Sequence, residues 1–351
     1  MKPCGAGEPT MINRRMIRGI NAPMSLLVLL SCCTLEARSQ PISRDLGTAS
    51  AVLTVGPGKE FSTIATAVSV ARDGDVIKVQ AGTYTNDHVS INKNITLQAV
   101  GGPVEMVSTG LIPNGKAIII TNGNITINNF SFSGARVINR NGAGIRYEHG
   151  NLVLNNCYFH NNENGLLSAP DTTGSITITR SEFAFNGSGD GQTHNLYVGS
   201  IATLLIDRSY FHDANVGHQI KSRSLNTIVK SSRIYDRDST ASYSIDLPNG
   251  GNAAIQNNEI EQGPNSQNFV IISYGEEGNL SPGTNFVVSN NIIVNHKRDT
   301  SLAVRNSTTA VAHITGNKFF GLTAAQVASG RNVQSGNRFL ATESALKEQI
   351  P

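Results

Sequence analysis

The sequence predicts an all-β solenoid, a parallel β-helix, because one short motif recurs along most of the chain. The motif reads apolar-x-apolar-x-polar-polar-x-(Phe/Ile), and its copies follow one another at intervals of 23 to 33 residues. Apolar and polar residues alternate within each copy, which is the period of a strand. A repeat of roughly 25 residues is too short for a pair of helices, so each copy predicts one coil of two or three short strands. The copies end at Phe132, Phe159, Phe183, Phe211, Ile234, Ile260, Ile293 and Phe319.

The composition agrees with many turns and little helix. The 351 residues include 34 glycines and no tryptophan, and 39% of them are hydrophobic. Glycine and asparagine supply the backbone conformations that tight corners need. The apolar fraction is sufficient for a core, which in a solenoid runs as ladders along the axis. No composition break divides residues 45–340, so we predict one domain over 40–350 with regular coils over about 76–340.

The residues ahead of the repeat predict a strand followed by an N-terminal capping helix. Residues 51–56 alternate as a strand does, and residues 62–72 place an apolar stripe on one helix face. Ser62 is the expected N-cap. The helix would cover the first coil, whose open strand edges otherwise invite pairing with other chains. At the other end, residues 324–329 and 343–349 are the expected covers.

Residues 1–39 predict a signal peptide and not a folded element. Basic residues precede an apolar run, and Ala37-Arg38-Ser39 is a small-x-small cleavage site. Cleavage would remove five basic and two acidic residues, so the formal net charge would fall from +3 to zero. A neutral chain lacks the basic field that nucleic-acid binding requires. Only Cys157 would remain, which excludes an intrachain disulfide.

The cellular location of the protein is also predicted from the signal peptide. No other apolar run is long enough to span a bilayer, so we expect no transmembrane anchor after processing. The sequence therefore predicts an exported protein, either periplasmic or extracellular.

From about residue 51 to 340 the chain resembles the right-handed parallel β-helix proteins of the pectate-lyase-like superfamily. The resemblance rests on the repeat and on the segment from Phe61 to Tyr84, in which Phe-Ser-Thr-Ile-Ala-Thr-Ala-Val precedes Gly-Asp-Val-Ile-Lys-Val-Gln-Ala-Gly-Thr-Tyr. It implies a right-handed coil. It does not imply one activity, because this fold hosts lyases, hydrolases, esterases, epimerases and non-enzymes.

The catalytic motifs of these proteins are not matched. The Arg-x-Pro-x-x-Arg element of pectate lyases, the Asp-Pro-His-Glu of mannuronan epimerases and the Gly-Tyr-Gln-Asp of pectin methylesterases are absent. Gly217-His218 and Ile220-Lys221 resemble pieces of polygalacturonase sites, but the paired carboxylate motifs of those enzymes are missing. No catalytic residue carries over, so the candidate site has to be argued from strand geometry.

Three neighbouring strands predict that site. Their apolar centres are Leu196, Ile220 and Ile245, which lie 24 and 25 residues apart. If these centres point inward, the residue after each points outward, because successive side chains alternate across a strand. The outward residues are then stacked in one column on consecutive coils: Tyr197, Lys221 and Asp246.

The basic residues of this stretch indicate an acidic sugar as the partner. Lys221 and Arg223 share a strand face, and an arginine clamps a carboxylate through two parallel hydrogen bonds. β-Elimination from a uronic acid needs a neutralised carboxylate, a base for the C5 proton and an acid for the leaving oxygen. We assign Arg223 to neutralisation, Lys221 or Tyr197 to proton abstraction, and Asp246 to orienting Lys221. Ion pairs on a solvated sheet face are the alternative.

Two histidines complete the catalytic candidates. His194 and His218 occupy equivalent positions, each two residues ahead of an inward strand centre. Either could serve as an acid or base, and a stacked, hydrogen-bonded corner pair is the alternative. No third ligand lies at clear spacing from them, so no metal site is predicted.

Two long steps in the repeat predict loops that wall a groove along the stack. The steps of 28 and 33 residues carry residues 186–194 and 274–283. Extra length in a solenoid goes into loops, which often lie on the binding face. A Ca²⁺ ion would require several loop acids to converge, which the sequence leaves open. The candidate substrate-binding residues are Asp190, Asn195, Tyr274 and Glu276.

Three functions, besides a surface scaffold with a protein partner, remain open on the sequence alone. The first is a polysaccharide lyase that acts on an acidic polysaccharide by β-elimination. A hydrolase would need two carboxylates, such as Asp246 with Asp190 or Glu276. The third is a non-catalytic β-helix that binds polysaccharide or builds the cell envelope. The sequence indicates neither the polysaccharide nor the oligomeric state.

Overall fold

The computed structural model describes residues 50–297 and 301–343, and the predicted signal peptide lies outside them. The described residues form a right-handed parallel β-helix of about 11 turns. Their strands fall on three parallel sheets, which confirms the predicted fold class. No helix in this part of the chain has the length and apolarity needed to cross a membrane.

The strands that contain the apolar half of each motif form sheet 1. Two of them, Val76–Thr85 and Ile95–Val107, bend and continue into the next sheet. The members of sheet 1 are Val52–Val55, Val76–Thr85, Ile95–Val107, Ile125–Asn128, Asn151–Asn155, Asp171–Thr179, Ile201–Asp207, Asn226–Lys230, Asn252–Gln256, Phe286–Ser289, Ala312–Thr315 and Asn332–Ser335.

Sheet 2 holds the aromatic end of each motif, and sheet 3 holds the candidate site. After the two bent strands, sheet 2 contains Phe130–Ser133, Tyr158–His160, Glu182–Ala184, Tyr210–His212, Arg233–Tyr235, Glu259–Gln262, Ile292–Asn295, Lys318–Phe320 and Arg338–Leu340. Sheet 3 contains Val89–Ile91, Ala117–Asn122, Ala143–His149, Asn164–Ser168, Leu196–Val198, Ile220–Ser222, Ile245–Leu247, Val270–Tyr274, Leu302–Asn306 and Ala328–Ser329.

The register of sheet 2 confirms the repeat residue by residue. Each of the eight motif ends pairs with the next one along the chain, from Phe132 to Phe319. All eight are buried. The first four are phenylalanines that stack along the axis, with ring centroids 4.9, 4.4 and 4.7 Å apart. These separations suit stacked aromatic rings, which bury a large apolar area in the core.

The polar pair of the motif turns the chain from sheet 1 to sheet 2. Its first residue has a positive φ, a conformation that asparagine and glycine adopt more readily than other residues. This requirement explains the doubled polar residues in the motif. The turn residues have φ between 47° and 63° and are Asn129, Asn156, Arg180, Arg208, Ser231, Asn257 and Asn290.

The second residue of the pair ties one coil to the next. The Ser181 hydroxyl accepts a hydrogen bond from the Cys157 backbone N–H at 3.1 Å, and Ser209 does the same for Ser181. In later coils the side-chain amide oxygens of Asn258 and Asn291 accept the equivalent backbone N–H groups. Buried backbone groups at the corner need such partners, because water does not reach them.

A short helix, Ile64–Val70, lies against the first strands of the solenoid. Its N-cap is Thr63 and not Ser62 as predicted, because the Thr63 side chain accepts the Thr66 backbone N–H. The Asp87 carboxylate accepts hydrogen bonds from the first two backbone N–H groups of the helix, those of Ile64 and Ala65. That this helix caps the coil stack stays a prediction.

The predicted C-terminal covers have a different structure from the one expected. Residues Ala324–Gln326 form one 3₁₀ turn, and Ala328–Ser329 extends sheet 3 by pairing with Val304 and Arg305. The strand therefore continues the stack at this point and does not cover it. Of the second predicted cover, 343–349, only Glu343 lies within the described residues.

Candidate functional site

The predicted column lies on sheet 3 in the expected register. Tyr197 pairs with Lys221, and Lys221 pairs with Asp246. The three apolar centres that precede them are fully buried. The alternation of side chains across each strand therefore brings a phenol, an ammonium and a carboxylate onto one outward face.

A loop carboxylate joins the column and bridges its two cations. Lys221 Nζ lies 2.9 Å from Glu277 Oε1 and 3.2 Å from Asp246 Oδ2. Arg223 Nη2 lies 2.5 Å from the other oxygen of Glu277. The Asp246 side chain is only 4% exposed, whereas the Glu277 side chain is 46% exposed. Lys221 is thus held between a buried carboxylate and an exposed one.

Tyr197 and Arg223 form the other half of the cluster. Arg223 Nε donates to the Tyr197 hydroxyl oxygen at 3.0 Å, and Arg223 Nη1 donates to Asn249 Oδ1 at 2.6 Å. Lys221 Nζ and Arg223 Cζ each lie 5.7 Å from the Tyr197 ring centroid. Cations at this distance from an aromatic face are attracted to it, so the phenol is surrounded by positive charge.

Burial and charge act in opposite directions on the two carboxylates. Burial raises the pKa of Asp246 to about 6, although Lys221 opposes the rise. Burial alone would also raise the pKa of Glu277, but hydrogen bonds from Lys221 and Arg223 outweigh it, so that pKa lies below its usual value. Glu277 is therefore an anion at neutral pH, and Asp246 titrates closer to neutrality than an ordinary aspartate does.

The two histidines are stacked behind this cluster. The rings of His194 and His218 lie 4.6 Å apart and nearly parallel. His194 Nδ1 accepts the His218 backbone N–H at 3.0 Å, and His218 Nδ1 accepts the Tyr243 backbone N–H at 3.1 Å. Burial lowers the pKa of both, to about 3 for His194. Both are therefore neutral, and their remaining proton is on Nε2.

Two loops reach the site from opposite ends of the strands of sheet 3. Residues 186–193 lead from sheet 2 into sheet 3, and residues 275–283 lead from sheet 3 to sheet 1. The second loop is fastened to the turn at 248–249, because Glu277 N–H donates to Pro248 O and Asn249 Nδ2 donates to Gly278 O. The column thus lies between two loops, as predicted.

A search for relatives by sequence gave no match to a protein-family profile or to a curated protein. Solved structures do match. The alginate lyase from Paenibacillus sp. str. FPU-7 has a TM-score of 0.60 at 17% identity, and the match covers 83% of this chain and 98% of that one. This likeness agrees with the parallel β-helix fold described above. At 17% identity, the likeness shows the fold of the protein and not its activity.

Two further solved structures match with lower TM-scores. The mannuronan C-5 epimerase AlgE6 A-module from Azotobacter vinelandii has a TM-score of 0.41 at 15% identity, with 80% of this chain and 94% of that one covered. The pectin methylesterase from Aspergillus niger has a TM-score of 0.40 at 12% identity, with 85% and 89% covered.

Two of the predicted substrate contacts lie inside the β-helix, so these predictions are wrong. Tyr274 is buried, stacks on Phe286 at 4.1 Å and donates its hydroxyl to Gly251 O. Asn195 is fully buried in a ladder of amides, where it accepts from Asn186 and donates to Gln219. Neither side chain has surface to offer a sugar.

The predicted acid or base role of His194 and His218 is not supported by their positions. Both are buried, and each uses one ring nitrogen to close the corner of a coil. His218 Nε2 lies 3.5 Å from Asp246 Oδ2. The alternative of a stacked corner pair agrees with the structure. His218 also lies next to Asp246.

The other two predicted contacts are at the surface of this β-helix. Glu276 accepts hydrogen bonds from Tyr243 at 2.7 Å and Ser273 at 3.0 Å, and it pairs with Arg305. Asp190 accepts from Gln192 N–H and Thr193, which closes its own loop. Their contact with substrate stays a prediction.

Two residues belong to the site although they were not among the predicted site residues. Glu277 and Asn249 lie in loops, whose paths the repeat does not specify. Arg146 lies in the same outward column as Tyr197, connected through Leu167. The alternation that identified Tyr197 would also have identified Arg146. Over 50–297 and 301–343, no three His, Cys, Asp or Glu side chains are grouped to hold a metal ion.

Proposed function

We propose that the protein is an exported polysaccharide lyase that cleaves a uronic-acid polymer by β-elimination. One observation carries the proposal: Lys221 and Arg223 converge on a single exposed carboxylate, Glu277, beside the hydroxyl of Tyr197. A pair of cations that holds one carboxylate group suits the carboxylate of a uronate. The alginate lyase that shares the fold is in accord with this class of substrate.

The cations neutralise the substrate carboxylate in the proposed reaction. The uronate displaces Glu277 and places its carboxylate against Lys221 and Arg223. Removing the negative charge acidifies the C5 proton, because the carbanion that forms is stabilised by the neutralised carboxylate. Lys221 contacts two carboxylates in the free protein. That arrangement suits a cation, so we assign Lys221 to neutralisation and not to proton abstraction.

Tyr197 is the residue that moves the proton. As the phenolate it takes the C5 proton, the C4–O bond breaks and a C4=C5 double bond forms. The phenol then returns the proton to the leaving glycosidic oxygen. Arg223 Nε, 3.0 Å from the phenol oxygen, stabilises the negative charge on that oxygen. Asp246 contacts Lys221 and holds it in position, and His218 in turn contacts Asp246.

Both carboxylate pairs predicted for a hydrolase include Asp246. Asp246 is buried behind Lys221, so it has no surface with which to protonate a glycosidic oxygen. Glu276 is held by Arg305 and Tyr243. A hydrolase needs one carboxyl group on each side of the scissile bond, and the exposed Glu277 is a single group.

The test is turnover of a panel of uronate polymers, including polymannuronate, polyguluronate and polygalacturonate. We expect ultraviolet absorbance from an unsaturated uronate product, and we expect Arg223→Gln to abolish it. Binding without absorbance or new reducing ends would identify the non-catalytic alternative. Reducing ends without absorbance would identify a hydrolase. Either result overturns the proposed lyase.

Two accompanying proposals concern metal and location. Lys221 and Arg223 supply the positive charge that a bound Ca²⁺ would supply, so we propose that turnover persists in excess chelator. A loss of activity that Ca²⁺ restores would contradict this. We also propose export. Expression of the full chain in a bacterial host, followed by fractionation, should recover a shortened protein outside the cytoplasm.

A further inference from the structure

A cleft of about 560 Å³ lies beside the charged column, toward the N-terminal end of the solenoid. Its charged lining residues are three arginines, Arg140, Arg146 and Arg223, and one aspartate, Asp190. The cleft is therefore basic. Tyr197 and Arg223 belong both to its lining and to the proposed reaction site, so the two spaces are continuous along sheet 3.

Arg146 occupies the outward column of sheet 3, in line with the reaction site. It pairs with Leu167, which pairs with Tyr197, which pairs with Lys221. Each step between paired strands is about 4.8 Å, so Arg146 and Lys221 are separated by roughly 14 Å along the axis. A polymer that lies along the column would therefore reach Arg146 after passing Tyr197 and Leu167.

The hydrogen bonding of Arg146 is incomplete. Its Nε is buried and has no hydrogen-bond partner within the described residues. The nearest carboxylate oxygen, Glu148 Oε1, lies 3.4 Å away and is held by Lys116 Nζ at 2.6 Å. Buried donors without acceptors are costly. In contrast, Arg223 uses all three of its nitrogens on Tyr197, Asn249 and Glu277.

We propose that Arg146 binds the carboxylate of a second acidic sugar, at a subsite three strands from Lys221. This inference rests on the proposed function, because it takes the polymer to be a uronate that lies along sheet 3. A carboxylate in the cleft would give the guanidinium a planar, bidentate acceptor. Arg146 is then a specificity-determining residue and takes no part in the chemistry.

The test compares Arg146→Gln with a matched control, Arg233→Gln. Arg233 lies on sheet 2, and its Nε is 3.4 Å from Glu259 Oε2, the same separation as between Arg146 and Glu148. Purified uronate oligomers of increasing length are the substrates. For long oligomers we expect Arg146→Gln to raise KM about tenfold or more with kcat unchanged. For oligomers too short to reach Arg146, and for Arg233→Gln, KM should equal that of the wild type.

An unchanged KM for long oligomers in a folded Arg146→Gln protein would overturn the subsite while leaving the lyase intact. Circular dichroism and thermal melting establish that each variant is folded. If the wild type turns over no uronate, the lyase fails and calorimetric binding of the same oligomers decides the subsite. Weaker binding by Arg146→Gln alone supports it, and equal binding or no binding by the wild type overturns it.

Discussion

Sheets 2 and 3 both carry outward columns, yet two ion pairs on these columns differ in exposure. On sheet 2, Arg233 lies 3.4 Å from Glu259 with its side chain 57% exposed. On sheet 3, Lys221 and Asp246 are almost completely buried. Both columns arise from the same alternation of side chains across stacked strands.

The difference comes from the loops and not from the strands. The loops 186–193 and 275–283 lie at the two ends of the strands of sheet 3. The second loop places Glu277 against Lys221. Excluding water strengthens the interactions among charges and raises the cost of leaving one unpaired. Exposed ion pairs, such as the one between Arg233 and Glu259 on sheet 2, contribute little because water screens them. The loops therefore make one face of a repetitive solenoid chemically distinct.

The largest expected contrast is in turnover. Tyr197→Phe removes the hydroxyl proposed to move the proton, so kcat should fall by roughly 10²–10⁴, the usual contribution of a general acid or base. Tyr210→Phe removes the same group from sheet 2 and should leave kcat at the wild-type value. The measurement is the initial rate of absorbance increase on a uronate polymer. Equal rates for the two variants would show that sheet 3 is no more important for turnover than sheet 2.

The second contrast is in stability. Lys221→Met leaves the buried Asp246 without its cation, and removing one partner of a buried ion pair costs about 3–5 kcal/mol. Arg233→Gln on sheet 2 should cost about 0–1 kcal/mol, as for exposed pairs. Urea unfolding at pH 7.5 gives both free energies of unfolding. Comparable losses in the two variants would show that the loops do not shield sheet 3.

The third expectation is a pH dependence caused by Asp246. Its pKa is about 6 in the folded protein, above the ordinary value of 3.8, so protonation favours the folded state. That stabilisation is fully present below pH 3.8 and is lost as the pH rises through 6. The loss is on the order of 3 kcal/mol for a shift of about two units. Asp246→Asn should remove it, as urea unfolding from pH 4 to pH 7.5 can measure.

The smallest expected effect concerns Glu277, whose carboxylate occupies the position proposed for the substrate carboxylate. Glu277→Gln removes this internal competitor and should lower KM about tenfold, equivalent to about 1.4 kcal/mol. Glu259→Gln on sheet 2 is the control and should leave KM unchanged. A higher KM in Glu277→Gln would mean that the carboxylate organises the two cations and does not compete with substrate.

Part of the candidate site follows from sequence periodicity. The column Tyr197, Lys221 and Asp246 was predicted because each residue follows an inward apolar centre. The same alternation places Tyr274 inside, since it pairs with the buried Leu247. The expectation that Tyr274 faces substrate was therefore wrong for a reason already present in the pattern.

Asn195 shows the limit of this reasoning. It precedes the inward Leu196, so strict alternation would point it outward. At a corner the backbone is not extended, and the side chain turns inward to hydrogen bond with Asn186 and Gln219. Buried backbone and amide groups at corners need such partners, and the alternation of a strand does not describe them.

The sequence by itself determined the period of the solenoid, the inward phenylalanine ladder and the register of the reactive column. These properties depend on local alternation and on a repeat length that stacked strands preserve. Only the tertiary structure decided that Glu277 bridges Lys221 and Arg223, that the histidines close corners, and that Arg146 lines a basic cleft. Each of these depends on contacts between residues far apart in the sequence, which the stacked coils and the two loops bring together.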